Sequence, residues 1–242
     1  MTVIDKLKQL GYTTIPEKFY TQVGVWKSWY QGNVKGFHRY KRYNGHDWVK
    51  CERVTLGMGK KVCEDWANLL MNEKVQITLE GQKEQAFIDR ILTANNFTVK
   101  ANEMQEMKSA LGTVAYIPRV VGQSVSGTGE PIPGDASGIV LDYVTIEHIF
   151  PLAWCNGFIT ECAFDSVVTV QGKTYLYLQI HRKDDLGQYI IENSIYRYEN
   201  ESLSDVKLSE VPGFERIPPV VYTGNDKRQF VIDRPNMANN FD

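Results

Sequence analysis

An α+β fold is predicted: N-terminal helices and a hairpin, a central helix leading into a strand, then a mainly antiparallel sheet. Three observations predict it. Apolar residues recur at helical spacing before Gly112. Within Leu56–Leu79 (LGMGKKVCEDWANLLMNEKVQITL) the period drops from about 3.6 to 2, a helix running into a strand with almost no linker. Beyond Gly112 three alternating stretches are separated by turn residues, the pattern of a meander. These observations predict a helical part of about 1–111 and a β-rich part of about 112–234 within a single domain, 1–242.

The first helix spans Val3 to Leu10 and stops at Gly11. Pro16 suits a first helical turn, where its missing N–H would be unpaired anyway. Phe19, Val23, Trp26 and Tyr30 follow at helical spacing, so Pro16–Gln31 is a second helix with one aromatic face, ended by Gly32. Two tryptophans and a tyrosine within Trp26–Tyr30 exceed what one short helix commonly buries, which points to a subunit contact. Gly36–Val54 is a hairpin centred on Asn44-Gly45, a dipeptide suited to the positive φ angles of tight turns. It carries Lys35, Arg39, Lys41, Arg42, Lys50 and Arg53 against Asp47 and Glu52, interleaved with Tyr40, Tyr43 and Trp48.

In the central helix, Thr55 is the expected N-cap. Val62, Leu69, Trp66, Gly59, Leu70 and Cys63 fall in an arc of roughly 120 degrees, expected to face the core, with Lys60, Lys61, Glu64, Asn68 and Asn72 opposite. The helix ends near Asn72, and Val75, Ile77 and Leu79 alternate as a strand. Lys83–Asn95 is the next helix, with Phe87, Ile88, Ile91 and Leu92 on one side. Asn95-Asn96 breaks it, and Phe97, Ala101, Met104, Met107 and Leu111 mark a further helix, its antiparallel partner, closed by Gly112. Thr113–Val121 and Ile139–Val144 are β-rich and enclose a polar Gly/Pro-rich loop, Gly122–Gly138, read as an interaction loop without a nucleotide fingerprint. Phe158–Val170, Lys173–His181 and Gln188–Tyr198 form the meander, turning at Gln171-Gly172 and Asp184–Gly187. One face is expected to pack and the other to be wet, with His181 at the surface.

Composition narrows function. With 43% apolar residues in 242, the chain can bury a real core. A formal charge of −2, from 27 basic and 29 acidic residues, creates no general attraction to nucleic acid or membrane. No stretch suits a signal peptide or a spanning helix, so a cytosolic protein without membrane partners is expected. The four cysteines, Cys51, Cys63, Cys155 and Cys162, form no CxxC pair and read as small buried hydrophobes. His148, Cys155 and Cys162 with Asp142 form the tightest metal constellation, but their gaps are unlike structural zinc spacings. No serine occupies a nucleophile elbow, and no cysteine, histidine and acid stand in a known catalytic order. The expected protein is not an enzyme and has no catalytic residue, cofactor or metal.

Four pieces resemble the N-terminal part of a tailed-bacteriophage portal protein, the minor capsid protein of long-tailed phages and prophages of Gram-positive bacteria. They are Trp26–Gly32 (WKSWYQG), Met58–Val75 (MGKKVCEDWANLLMNEKV), Tyr143–Phe164 (YVTIEHIFPLAWCNGFITECAF), and the meander with Tyr175, His181 and Ile190–Asn193 followed by Pro235–Asp242. Met58–Val75 is the most specific. Tyr143–Phe164 resembles a strand, a Phe-Pro turn and another strand.

The resemblance implies a structural subunit of a ring, usually dodecameric, at one capsid vertex of the virion, present in the host cytoplasm during assembly or when expressed from a prophage. Through that ring DNA is packaged, and head-completion proteins attach to it as a head–tail connector. Its implied partners are other portal subunits, the major capsid protein and a scaffold protein, with terminase and DNA reserved for the full-length protein. The chain stops where the family's stem would begin, so a portal wing is expected, with stem, clip and crown absent. Trp26, Trp29, Tyr30, Arg39, Lys41, Arg42 and Trp48 are the expected contact residues, because aromatics and arginines anchor protein interfaces. Two competing readings are a nucleic-acid-binding module on residues 35–53 and a metal-dependent hydrolase on His148, Cys155, Cys162 and Asp142.

Overall fold

The computed structural model describes residues 2–71, 75–121, 138–199, 202–224 and 227–234. The class is the α+β predicted, with five helices and mainly antiparallel sheets among these residues. Backbone contacts group the described residues into two compact units. A sheet unit takes them from Met1–Ile15, Ala115–Val144 and His148–Ile232, and a helical unit from Pro16–Val114, Thr145–Glu147 and Asp233–Asp242.

The sheet unit begins with α1 (Val3–Gln9), nucleated by a capping box: the Asp5 N–H donates to the Thr2 hydroxyl at 3.2 Å, and the Thr2 N–H to the Asp5 carboxylate at 2.9 Å. Although read with the helical stretch, α1 lies on the sheet. Leu7 is fully buried, and Lys6 reaches Asp205 at 2.9 Å over the Tyr196 ring.

β3 (Val114–Val121), β4 (Gly138–Thr145) and β11 (Val231–Asp233) form one sheet in the order β11-β3-β4. The main sheet holds β5 (Ile149–Cys155), β6 (Phe158–Val170), β7 (Lys173–Lys183), β8 (Tyr189–Glu199), β9 (Ser202–Val206) and β10 (Val220–Tyr222), with β10-β8-β7-β6-β5 as its backbone order. The predicted meander is β6 to β8. Its first turn, Gln171-Gly172, has φ of 50° and 74°, the two left-handed residues that a two-residue hairpin matched to strand twist requires. Residues 122–137 of the predicted interaction loop lie outside the described residues.

Three details differ from expectation. Phe150-Pro151 is no turn: both residues pair with β6 inside β5, and the chain reverses at Asn156-Gly157, with φ of 50° and 79°. Proline is tolerated because β5 is an edge strand with register shifts at Pro151 and Ala153. The wet face expected for β7 is largely covered, with Leu176, Leu178, Ile180 and also Tyr175 and His181 buried. β8, finally, is paired on one side by two short strands, β10 along Ile190–Glu192 and β9 along Ile195–Glu199.

The gap between those two strands falls at Asn193. Its N–H donates to the Pro219 carbonyl at 2.7 Å and its side-chain amide to the Pro218 carbonyl at 2.9 Å. Prolines lack a ladder donor but keep their acceptors. The Asn193 carbonyl oxygen accepts from the Tyr177 hydroxyl at 2.7 Å and the Gln179 amide at 3.2 Å. Asn193→Ala keeps the backbone bond to Pro219 but strips the side-chain partners Pro218, Tyr177 and Gln179 in a buried site, and is expected to cost about 1–3 kcal/mol, read as a lower urea midpoint. An unchanged midpoint would mean that the amide is not what holds Pro218-Pro219 to β8.

The helical unit contains α2 (Glu17–Tyr30), β1 (Arg39–Tyr43), β2 (Trp48–Glu52), α3 (Met58–Leu70), α4 (Gln82–Ala94) and α5 (Phe97–Leu111). Pro16 caps α2 from outside, and Asn96 (φ 49°) and Gly112 (φ 88°) bracket α5. α5 packs more extensively on α3 than on α4. Its buried Ala101, Met104 and Leu111 supply core.

The central helix is turned the other way from expectation. Val62, Trp66 and Leu69 are 62%, 53% and 63% exposed, while Ala67 is fully buried. Cys63 and Glu64 are half-buried beside it. Small side chains at Cys63 and Ala67 let α3 approach α5 closely, and the larger apolar arc is left outside. Its N-cap is Gly57, in the left-handed region, not Thr55, whose hydroxyl instead accepts from the Gly57 N–H at 3.1 Å. No strand forms at 75–79, where Val75, Ile77 and Leu79 are exposed. The Gln85 side chain on α4 accepts from the Leu79 N–H at 2.7 Å and donates to the Ile77 carbonyl at 3.1 Å, satisfying backbone groups that a partner strand would otherwise take.

Candidate interaction surface

The predicted contact residues all fall in the helical unit. On α2, Val23 points into the core. Trp26 is half-buried, with its ring edge-on to Phe19 at 6.1 Å. Trp29 is 50% exposed, 5.0 Å from Phe37 and 5.9 Å from His38. Tyr30 is half-buried and donates its hydroxyl to Glu106 on α5. Burial, then that hydrogen bond, pushes its pKa upward, so it remains a neutral donor.

The hairpin forms, but with a four-residue loop, Asn44–Asp47, between paired Tyr43 and Trp48. The Asn44 side-chain oxygen, Oδ1, accepts from the N–H groups of His46 and Asp47 at 2.9 and 2.8 Å, and only Gly45 of the central dipeptide takes positive φ, at 104°. Alternation puts Arg39, Lys41, Tyr43, Trp48, Lys50 and Glu52 on one face and Tyr40, Arg42, Val49 and Cys51 on the other. Arg39 pairs with Glu52 at 3.4 Å across the strands, both exposed. Tyr43 and Trp48 stack obliquely at 5.7 Å. Each face therefore mixes aromatic and basic side chains, with Arg39, Lys41, Lys50, Tyr43 and Trp48 on one and Tyr40 and Arg42 on the other.

Beside the hairpin base an open cleft of about 660 Å³ is lined by Trp26, Trp29, Phe37, Arg53, Met58 and Cys63, among others. Arg53 lies over both Phe37 and Tyr40, at 4.5 and 4.7 Å from the ring centroids. Buried His38 accepts the Val34 N–H at Nδ1, at 2.8 Å, and so fixes the loop entering β1. Sequence spacing singles out Trp26, Trp29 and Tyr30. It does not single out Phe37, and it does not bring Arg53 or Met58 to them, because these come from the loops flanking the hairpin and a helix start that share no periodicity with α2.

The metal constellation does not assemble. His148 Nδ1 lies 2.8 Å from Asp165, Asp142 takes Arg119 at 2.8 Å, Cys155 is exposed and Cys162 buried. No group of three or more potential ligands occurs among the described residues. His181, expected at the surface, is fully buried between Phe164 and Phe230, at 5.2 and 5.6 Å, and neither ring nitrogen has a hydrogen-bond partner among the described residues. Burial pushes its pKa down to about 3, so it is a neutral core residue.

No described helix is long and apolar enough to cross a membrane. No curated protein matches the chain. A family described as phage portal protein, SPP1 Gp6-like, matches residues 12–129, a range that includes Trp26–Gly32 and Met58–Val75 and runs from before α2 to beyond β3. Residues 12–129, just under half of the chain, thus match the phage portal proteins of the SPP1 Gp6-like family.

Proposed function

We propose that the chain is the wing portion of a portal ring at the capsid vertex, contacting neighbouring portal subunits, the major capsid protein and a scaffold protein. The family is a structural one, and the ring it forms serves DNA packaging and head–tail connection. The observation that carries the reading is where the unburied apolar surface lies. Trp29, Trp48, Val54, Leu56, Met58, Val62, Trp66 and Leu69 are all at least 50% exposed and all lie within the family-matched range. Apolar surface on that scale marks a contact face. Trp29, Arg39, Lys41, Arg42 and Trp48 are its outward anchors, and Trp26 and Tyr30 brace it from behind.

The test is localisation in assembled particles. A tagged copy of the chain, assembled with its capsid proteins and imaged with a gold label, is expected at one vertex per particle. Label spread over the shell, or absent from it, would overturn the reading. Trp26→Ala with Trp29→Ala is expected to lower incorporation.

A second reading is single-strand nucleic-acid binding by residues 35–53. What favours it is that Arg39, Lys41 and Lys50 share a face with Tyr43 and Trp48, cations for phosphates beside rings for bases. It predicts an affinity for single-stranded DNA that falls steeply with salt. No measurable binding at low salt rejects it.

A further inference from the structure

The cleft beside the hairpin base holds about 660 Å³, within the roughly 300–1,000 Å³ of ligand sites, and its charge is one-sided. Of the described residues that line it, Arg53 alone is charged. Glu64 and Glu106 lie near its Cys63 wall but are already engaged, Glu64 with Lys60 at 3.5 Å on α3 and Glu106 with the Tyr30 hydroxyl. Burial, then Glu106 and Glu64, pushes the Cys63 thiol's pKa up, so the thiol stays neutral and adds no anion. The start of α3, where Gly57 and Met58 line the cleft, has no acidic residue in its first turn and no side-chain cap.

Arg53 is fixed in place. Its N–H donates to the His38 carbonyl at 2.8 Å, one step beyond the pairing of Arg39 with Glu52, so the hairpin ladder sets its backbone. Its exposed guanidinium lies over the rings of Phe37 and Tyr40, at 4.5 and 4.7 Å from their centroids, and has no ion pair among the described residues. Stacking occupies the faces of a guanidinium and leaves the N–H fork at its edge free for a carboxylate. His38, across the ladder, is 7% exposed and lines the same cleft. Because its Nδ1 accepts from the Val34 N–H, the ring carries its proton on Nε2, which has no partner among the described residues. A cation and a neutral donor therefore meet at the hairpin base, and no carboxylate of the lining answers them.

The rest of the cleft is apolar and wet. Trp29, Leu56 and Met58 are 50%, 85% and 61% exposed, and from Met58 the exposed stripe of Val62, Trp66 and Leu69 continues along α3. Apolar walls beside an unanswered cation fit an occupant that brings both an apolar side chain and an anion. A peptide does so with adjacent residues. Single-stranded nucleic acid fits less well. It brings a charge at every nucleotide to a lining with one cation, and its sugar-phosphate chain would leave Leu56 and Met58 in water.

We infer that this cleft docks an acidic peptide segment of a partner protein, whose large apolar side chain packs on Trp29, Leu56 and Met58 while a neighbouring carboxylate pairs with Arg53. His38 offers a second donor beside it. The inference rests on the contact-face reading above and names the chemistry of one partner.

The test uses the full chain and a fluorescein-labelled, end-capped peptide with one tryptophan between two glutamates in a Gly/Ser background, followed by fluorescence anisotropy. Saturable binding is expected below about 1 mM, the weak end of specific affinities. Arg53→Gln is expected to weaken it at least about 10-fold, the lower end for hydrogen bonds to charged groups. Arg53→Lys keeps the charge without the planar fork and should fall between. Met58→Glu puts a carboxylate in the cleft and should weaken binding by a similar factor; an acid suits a first helical turn, so α3 is kept. Lys41→Gln with Lys50→Gln, outside the cleft lining, should leave binding unchanged. The proposal is overturned if the peptide does not saturate, or if a version with glutamines for its glutamates binds as well. It is also overturned if Arg53→Gln with native circular dichroism binds normally, or if the two lysine substitutions weaken binding as much, the mark of general attraction to a basic hairpin. Should Arg53→Gln lose native circular dichroism, Met58→Glu and the glutamine peptide decide. Oligothymidylate that binds where the peptide does not, and is released by Arg53→Gln, would assign the cleft to nucleic acid instead. A chain found at one vertex that fails to bind the peptide loses this site and keeps the ring reading. Peptide binding by a chain absent from particles does the opposite.

Discussion

Phe230→Ala is expected to cost the sheet unit about 3–5 kcal/mol, the range for removing a large aromatic ring from a core. Phe230 is 2% exposed and stands edge-on to Phe164 at 5.4 Å and His181 at 5.6 Å, so its truncation removes one of three mutually packed rings. The ring also anchors its own segment. Arg228, two residues earlier, donates to the Ile159 carbonyl at 2.8 Å, and β11 starts one residue later beside β3. Losing the ring should therefore loosen β11 as well as open a cavity. Urea unfolding read by circular dichroism checks the magnitude. Faster amide exchange at Val231–Asp233 checks the local effect. A loss below about 1 kcal/mol, the centre of ordinary substitutions, would mean that β11 is held by its strand pairing and not by this ring.

Acid should destabilise the same cluster. His181 titrates near 6.5 when unfolded and is pushed down to about 3 by burial when folded. Above pH 6.5 neither state holds the proton and the residue has no effect. Between there and about 3 the unfolded chain binds a proton that the folded chain excludes, so stability falls as pH falls, by about 1.4 kcal/mol per unit. At pH 5 this amounts to about 2 kcal/mol. Cys162, opposite His181 on β6, has its thiol pushed well up by burial and stays neutral throughout. His181→Phe keeps a ring between Phe164 and Phe230 and removes the proton site. The variant should lose less stability between pH 7.5 and 5 than the unmodified chain, by that amount. Parallel losses would show that His181 is protonated inside the fold.

Both predictions concern the sheet, the part most legible in the residue order. β6, β7 and β8 and their turns follow from alternation and from Gln171-Gly172 and Asp184–Gly187, all local signals. His181 was misplaced because alternation assigns a side chain to a face without saying what covers it. Phe230 covers it, from about fifty residues away in the chain. The turn expected at Phe150-Pro151 comes from the resemblance of Tyr143–Phe164 to a strand, a Phe-Pro turn and a strand. Only the sheet order, with β5 at its edge, makes proline harmless there.

The candidate surface divides in the same way. Trp26, Trp29 and Tyr30, and the mixture of cations and rings on the hairpin, are visible as spacing and composition. The cleft is not, since Phe37, Arg53 and Met58 are brought together only when the hairpin base meets the starts and ends of helices.

What the sequence determined by itself was therefore local: the helix periods, the meander strands with their turns, the α+β class, and the Met58–Val75 resemblance to a portal protein. What only tertiary structure decided was the use of each face. In α3 the apolar arc of Val62, Trp66 and Leu69 is strong, yet the helix buries Ala67 and leaves that arc in water. The physical reason is that periodicity records that a face is apolar, whereas close packing on α5 selects the small side chains. The larger face is left available to a partner outside the chain.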